Sequence, residues 1–184
     1  MSLKTVYLAA NIESSPEFHQ ARLLLLLKAC GKRSNKPVDG IMKLAKLDFL
    51  LRYPNCLVRV LERLGNQKAA ERITDEERNT IEARMIRFRY GPWDERYREW
   101  ISLLVAKRLA ETYLDGRTVK VKLTDHGRKL AESLEKREEF KDLATRSALV
   151  STAVGGYSAT RLKDFVYEVF PEITTMKWGE KIEI

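Results

Sequence analysis

Histidine and cysteine are scarce in this chain, with two of each among 184 residues. Cys30 and Cys56 lie inside apolar stretches with helical spacing and read as small core side chains. Two cysteines cannot build a disulfide framework, and they suit a reducing, cytoplasmic location. His19 and His126 each stand apart from any Cys, Asp or Glu at metal-ligand spacing, so no metal and no cofactor is expected. Glycine is also sparse, with nine residues. None of it forms a run ahead of a Lys-Ser or Lys-Thr pair, which leaves no phosphate loop. No nucleophile elbow, dinucleotide fingerprint or paired-acid signature occurs either, so the expectation is that the chain is not an enzyme. The apolar run over 23–27 is far too short to cross a bilayer. Met1 to Ala10 carries only Lys4 and no long apolar core, so no secretory signal and no membrane partner are expected.

Charge and apolar residues are plentiful. Hydrophobic residues make up 44% of the chain and charged residues 33%. They recur in periodic segments throughout, which excludes a disordered chain and predicts a real core. Lys and Arg outnumber Asp and Glu by 34 to 26, a formal charge of +8. Such a balance favours polyanionic partners through counterion release, although a generic basic surface gives the same count.

Ser14-Ser15-Pro16-Glu17 is a helix start, with a hydroxyl cap, proline in the first turn and an acid at the positive end. That helix runs to about Ala29, stops at Gly31 and, with five consecutive leucines, should be central and buried on most sides. Pro37-Val38-Asp39 opens a second helix, reaching Arg52, whose stripe is Ile41, Leu44, Leu47 and Leu51. Asp48 shares that stripe. It is either a stripe-edge acid facing water or a partly buried acid that needs a partner, with Arg52 one turn later the nearest. Tyr53-Pro54-Asn55 breaks the helix, and a third spans 56–64. A polar connection over 66–73 leads to a capping box, Thr74 with Glu77, that starts a helix to about Arg84.

The period then changes. Ile86, Phe88 and Tyr90 alternate with Arg87 and Arg89, which predicts a short strand ended by Gly91-Pro92. Asp94 caps a long helix to about Tyr113, with Tyr97, Trp100, Ile101, Leu104, Val105 and Leu109 along its apolar stripe. Asp115-Gly116 is a tight turn, and Val119, Val121 and Leu123 alternate with Thr118, Lys120 and Lys122 as a second strand. Thr124 caps a helix to about Leu143. A last unit begins near Thr145, breaks at Gly155-Gly156, resumes at the Ser158 cap and ends at Phe170-Pro171-Glu172. The chain thus divides into 1–84, 85–143 and 144–184, sharing one core.

From Asp94 to Leu134 the order is helix, two strands around a Gly-Arg tip, then Leu123-Thr124-x-x-Gly127-Arg128 entering a helix. This resembles the wing region of winged-helix domains, including the multidrug-resistance and phenolic-acid regulator families. The fold this implies is mainly α with a small antiparallel β wing, a winged helix-turn-helix with flanking helices. If DNA is bound here, the candidate contacts are Arg96, Arg98 and Lys107 on the presenting helix and Arg117, Lys120 and Lys122 on the wing. Asp94, Glu95 and Glu99 on the same helix would repel phosphate, and many such wings bind protein instead.

Three stretches carry a wider resemblance. They are Leu23 to Ala29 with Gly40-Ile41-Met42-Lys43-Leu44-Ala45-Lys46-Leu47-Asp48-Phe49-Leu50-Leu51-Arg52-Tyr53-Pro54; Phe88-Arg89-Tyr90-Gly91-Pro92-Trp93; and Leu162-Lys163-Asp164-Phe165-Val166-Tyr167-Glu168-Val169-Phe170-Pro171-Glu172-Ile173. Together they resemble the middle component of bacterial ABC-three-component systems, as in Lamassu-type defence operons. The resemblance implies a small adaptor without an active site. Its implied partners are an ATPase of the structural-maintenance-of-chromosomes type and an effector, often a nuclease, in a complex that senses invading DNA. Double-stranded DNA contact would be a further property of that complex. Phe165, Phe170 and Trp178 are candidate partner anchors, or else they close the core. The competing reading is a dimeric winged-helix transcriptional regulator, against which no long dimerisation helix with a clean heptad stands out. A nuclease or other enzyme is a third, weaker reading.

Overall fold

The computed structural model describes residues 15–32, 34–79 and 84–184. The chain is mainly helical with a small antiparallel sheet. Helix α1 (Pro16–Gly31) starts where Ser15 accepts a hydrogen bond from the Phe18 amide, with Pro16 in its first turn. Residues His19 to Leu27 are all buried. The helix packs on four later helices and the sheet, so it occupies the centre, as its leucine run predicts. One cluster of buried apolar residues extends from Leu23 to Ile182.

The second helix begins later than the sequence suggests. Val38 and Asp39 form a short strand, β1 (Val38–Asp39), and Gly40 turns the chain at φ 99° into α2 (Ile41–Arg52). The strand exists because a distant segment pairs with it. Val38 lies opposite Val121, and Asp39 opposite Lys120. Pro54 fits the first turn of α3 (Pro54–Arg63), which therefore starts before Cys56. The expected polar connection contains a single turn, α4 (Gln67–Ala70), whose Ala69 and Ala70 are buried along with Ile73. The Thr74–Glu77 capping box is present at α5 (Asp75–Arg78). The stretch expected to carry this helix on towards Arg84 lies partly at 80–83, outside the described residues, as do Met1 to Ala10.

Two expectations fail around Arg87. Gly91 and Pro92 do not end a strand but form one. β2 (Ile86–Phe88) pairs with β3 (Gly91–Trp93) as a hairpin. The facing is also reversed, because Arg87 is buried while Phe88 and Tyr90 are exposed. The cause is the C-terminal segment, which lies along the outer edge of β2. The Arg87 amide donates to the Glu180 carbonyl at 2.8 Å, and the Ile182 amide to the Met85 carbonyl at 2.9 Å. This pairing turns Met85, Arg87 and Ile182 inward.

The long helix expected to reach Tyr113 stops early. α6 (Tyr97–Ala106) ends in a turn where Arg108 adopts φ 55° and the Leu109 amide donates to the Leu104 carbonyl at 2.8 Å. The chain then enters β4 (Ala110–Asp115), which pairs with β5 (Thr118–Leu123) across the Asp-Gly turn. Cross-strand pairing wins over helical continuation because Thr112 and Tyr113 are strand formers facing Val121 and Lys120. The sheet order is β1-β5-β4, which leaves β4 at an edge.

Thr124 caps α7 (Asp125–Glu135), accepting from the Gly127 amide at 3.0 Å. That helix stops short of Leu143. A 3-10 turn (Glu138–Phe140) separates it from α8 (Lys141–Val154), followed by α9 (Ala159–Val169) and α10 (Pro171–Thr175). No helix among the described residues is long and apolar enough to cross a membrane.

Gly127 is the tightest joint in this arrangement. A Cβ there would stand 1.8 Å from the Leu109 carbonyl oxygen and 2.7 Å from its carbon. That carbonyl also accepts from the Thr124 amide at 3.1 Å, so it cannot retreat without loosening the hairpin. Replacing Gly127 with Ala should therefore cost about 3 kcal/mol in denaturant unfolding. A loss within experimental error of zero would show that the joint has slack.

Candidate partner-binding face and the buried ion cluster behind it

Asp48 is fully buried, and the water-facing alternative is excluded. Its Oδ1 accepts from Arg22 Nε at 2.7 Å, and its Oδ2 from Arg52 Nε at 2.9 Å and from the Tyr97 hydroxyl at 2.5 Å. Arg52 continues to Asp94 through Nη1 at 2.9 Å, and Arg96 closes on the same carboxylate at 2.8 Å. The guanidinium carbons of Arg22, Arg52 and Arg96 lie 5.4, 5.2 and 4.9 Å from the Trp100 ring centre. α1, α2 and α6 thereby meet on one paired set of charges. Each arginine of this cluster has a carboxylate, as buried charges require.

The cluster sets the protonation of its members. Burial alone would raise the Asp48 carboxyl, but the Arg22 and Arg52 guanidiniums outweigh it and hold it below its ordinary value. Asp94 is likewise held low by Arg96 and Arg52 against its own desolvation. Burial pushes the Tyr97 hydroxyl well above its ordinary value. His19 sits on the Trp100 ring, 4.3 Å between centres, with Nδ1 at 2.6 Å from Arg22 Nη1. A guanidinium only donates, so Nδ1 accepts and the proton of the neutral ring is on Nε2. Burial, followed by the Arg22 and Arg52 charges, lowers the His19 pKa to about 3. His19 is thus part of the cluster rather than a solitary residue, which the sequence reading missed.

This cluster fixes α6 and the hairpin that follows it. The outward side of α6 carries Arg98 and Glu99, with Val105 38% exposed. On the hairpin Leu114 is 73% and Tyr113 44% exposed. The cations named from the sequence separate into two groups. Arg96 belongs to the ion cluster, and Lys107 donates to Gln20 Oε1 at 2.9 Å. Lys120 bridges Asp39 at 2.6 Å and Asp115 at 3.3 Å, while Lys122 pairs with Glu111 at 2.7 Å. Those carboxylates raise the pKa of both lysines. Arg98 and Arg117 are exposed and make no ion pair among the described residues.

The three aromatic candidates also separate. Phe170 is fully buried, edge-on to Phe49 at 5.5 Å and under the Arg59 guanidinium. It closes the core and is not available as an anchor. Phe165 is half-buried, edge-on to Tyr157 at 5.6 Å, in an open groove with Leu64 and Arg161. Trp178 is 65% exposed. Among the described residues, no group of three or more His, Cys, Asp or Glu is placed to hold a metal ion. Compared with models of known protein families, with curated proteins and with solved structures, the chain matches none.

A neutral buried histidine links stability to pH. His19 binds its proton near pH 6.5 when unfolded but only near 3 when folded, so between these values the unfolded state holds more protons. Stability should therefore fall as pH drops from 6.5 towards 3, by up to about 1.4 kcal/mol per pH unit. Asp48 and Asp94, whose folded pKa values are depressed, add their own loss as pH falls into and below the ordinary carboxylate range. Urea unfolding from about pH 7.5 to about pH 5.5, above the carboxylate range, reads the histidine contribution. His19→Gln, which keeps an acceptor for Arg22, should flatten that slope. An unchanged slope in the variant would assign the acid sensitivity elsewhere.

Proposed function

We propose that this chain is a non-catalytic winged-helix adaptor that joins a larger assembly through α6 and the β4–β5 hairpin. The order α1, β1, α2, α6, β4, β5 supports the winged-helix assignment, with residues 53–96 inserted between its second and third helices. The observation that carries the adaptor role is the state of the wing. Lys120 and Lys122 are neutralised by Asp39, Asp115 and Glu111, while Leu114 and Tyr113 project into solvent. A wing that grips phosphate has free cations, whereas one that grips protein offers an apolar tip within a polar rim. The resemblance to the middle component of ABC-three-component systems supplies the partners: an ATPase of the structural-maintenance-of-chromosomes type and an effector subunit. The setting would be bacterial anti-phage or anti-plasmid defence in the cytoplasm.

One observation favours the second reading, a DNA-binding regulator. Arg98 and Arg117 are exposed on adjoining elements and free of ion pairs among the described residues. The two readings separate in one experiment. Co-expressed with the proteins encoded beside it, the chain should elute in a complex, and Leu114→Asp should weaken that complex at least about tenfold. Leu114 is 73% exposed, so the variant should melt like the parent. If the chain elutes alone and binds a specific duplex, and charge reversal at Arg117, Lys120 and Lys122 abolishes that binding, the regulator reading replaces the adaptor.

A further inference from the structure

The other hairpin, β2–β3, carries chemistry that the adaptor role does not use. The C-terminal segment adds a third antiparallel line to it, with the Gly179 amide donating to the Arg87 carbonyl at 2.7 Å and Lys181 bridging to Ile86. The inner side of this ribbon, Met85, Arg87 and Ile182, belongs to the protein interior. Its outer side presents a row of rings. Trp178 lies 6.2 Å from Phe88, and Phe88 lies 6.2 Å from Trp93. Phe88 is 41% and Trp178 65% exposed. At the tip, Arg89 stacks on Tyr90, which is itself 45% exposed.

Exposed rings at this density require an explanation, since large apolar side chains left in water mark a binding surface. The surrounding charge indicates which kind. Arg89, Lys177 and Lys181 make no ion pair among the described residues, in contrast to the lysines of the wing. Of the nearby acids, exposed Glu95 beside Trp93 makes no ion pair among the described residues, and two others are engaged. Glu183 pairs with Arg84 at 3.4 Å, and the Glu180 carboxylate accepts from the Lys177 amide at 2.8 Å. A sheet face that combines a row of planar rings with free flanking cations matches a polyanion whose planar groups are accessible. In a duplex the base faces are covered by their neighbours, and in a single strand they are open.

We infer that the outer face of this ribbon binds single-stranded nucleic acid. Bases stack on Trp178, Phe88 and Trp93, and phosphates are held by Arg89, Lys177 and Lys181. The site is independent of the wing and of the proposed assembly, so it is testable on the isolated chain.

The measurement is anisotropy of a labelled oligothymidylate titrated with purified protein at low salt, alongside a duplex control. The strand should bind more tightly than the duplex. Trp178→Ala should weaken it about tenfold, the loss of one stacked base, with an unchanged melting temperature. Phe88→Ala should act in the same direction. Joint reversal of Arg89, Lys177 and Lys181 should flatten the salt dependence, and the wing reversal at Arg117, Lys120 and Lys122 should leave it unchanged. The inference is overturned if no strand binds at low salt, if duplex binds equally well, or if Trp178→Ala binds like the parent. It is equally overturned if Trp178→Ala instead releases a protein subunit while the parent ignores the oligonucleotide, which would make the ribbon a protein-docking surface.

Discussion

A single carboxylate, Asp48, ties together three helices that also share the apolar core. It lies in the interior between Arg22 of α1 and Arg52 of α2 and accepts the Tyr97 hydroxyl of α6. Removing such a group leaves two guanidiniums without full compensation in a medium that tolerates neither, at a cost of about 3–5 kcal/mol. Trp100 backs the cluster, with guanidiniums over its ring and His19 stacked against it, so the charges are fixed in position as well as in number. Apolar packing already restricts how the helices cross, and the ion cluster adds direction to it. Short hydrogen bonds made by Tyr97 and Asp94 attach the start of α6 to the cluster, upstream of the turn into β4.

From that constraint the molecule acquires two dissimilar faces. α6 delivers the chain into one hairpin whose two lysines are paired internally and whose apolar residues Tyr113 and Leu114 are exposed. Arg87 and the C-terminal segment pin a second hairpin to the interior and turn its aromatic side outward. The Arg87 Nε donates to the Ile173 carbonyl at 2.9 Å, and its guanidinium lies over Tyr167. The net charge of +8 therefore says little by itself about where a polyanion would sit. What matters is which cations already have partners. On the β4–β5 hairpin Lys120 and Lys122 do and Arg117 has none among the described residues, while on the ribbon Arg89, Lys177 and Lys181 all have none.

The parts of this architecture that depend on near neighbours were legible in the sequence. Caps at Thr74, Thr124 and Ser158 act across three residues, and the Asp115-Gly116 turn across two, so a local pattern suffices. The parts that depend on distant pairing were not. Val38 and Asp39 become a strand only because β5 lies beside them, and α6 stops only because β4 finds β5. Arg87 turns inward, contrary to its polarity, because Glu180 and Ile182 pair along its strand. Asp48 was suspicious as an acid on an apolar stripe. Arg22, 26 residues away and surrounded by leucines, gave the matching signal from α1, and no spacing rule connects the two. Phe170 and Trp178 read alike in sequence, and only packing distinguishes a core ring from a surface one.

The central claim is that the Asp48 charge is the keystone of the helix arrangement, and a double-mutant cycle tests it directly. Denaturant unfolding would be measured for the parent, Asp48→Asn, Arg22→Met and the pair. The account predicts that Asp48→Asn alone costs about 3–5 kcal/mol, and that adding Arg22→Met costs little more because the stranded charge is then gone. Asp48→Asn within about 1 kcal/mol of the parent, or costs that simply add, would contradict it.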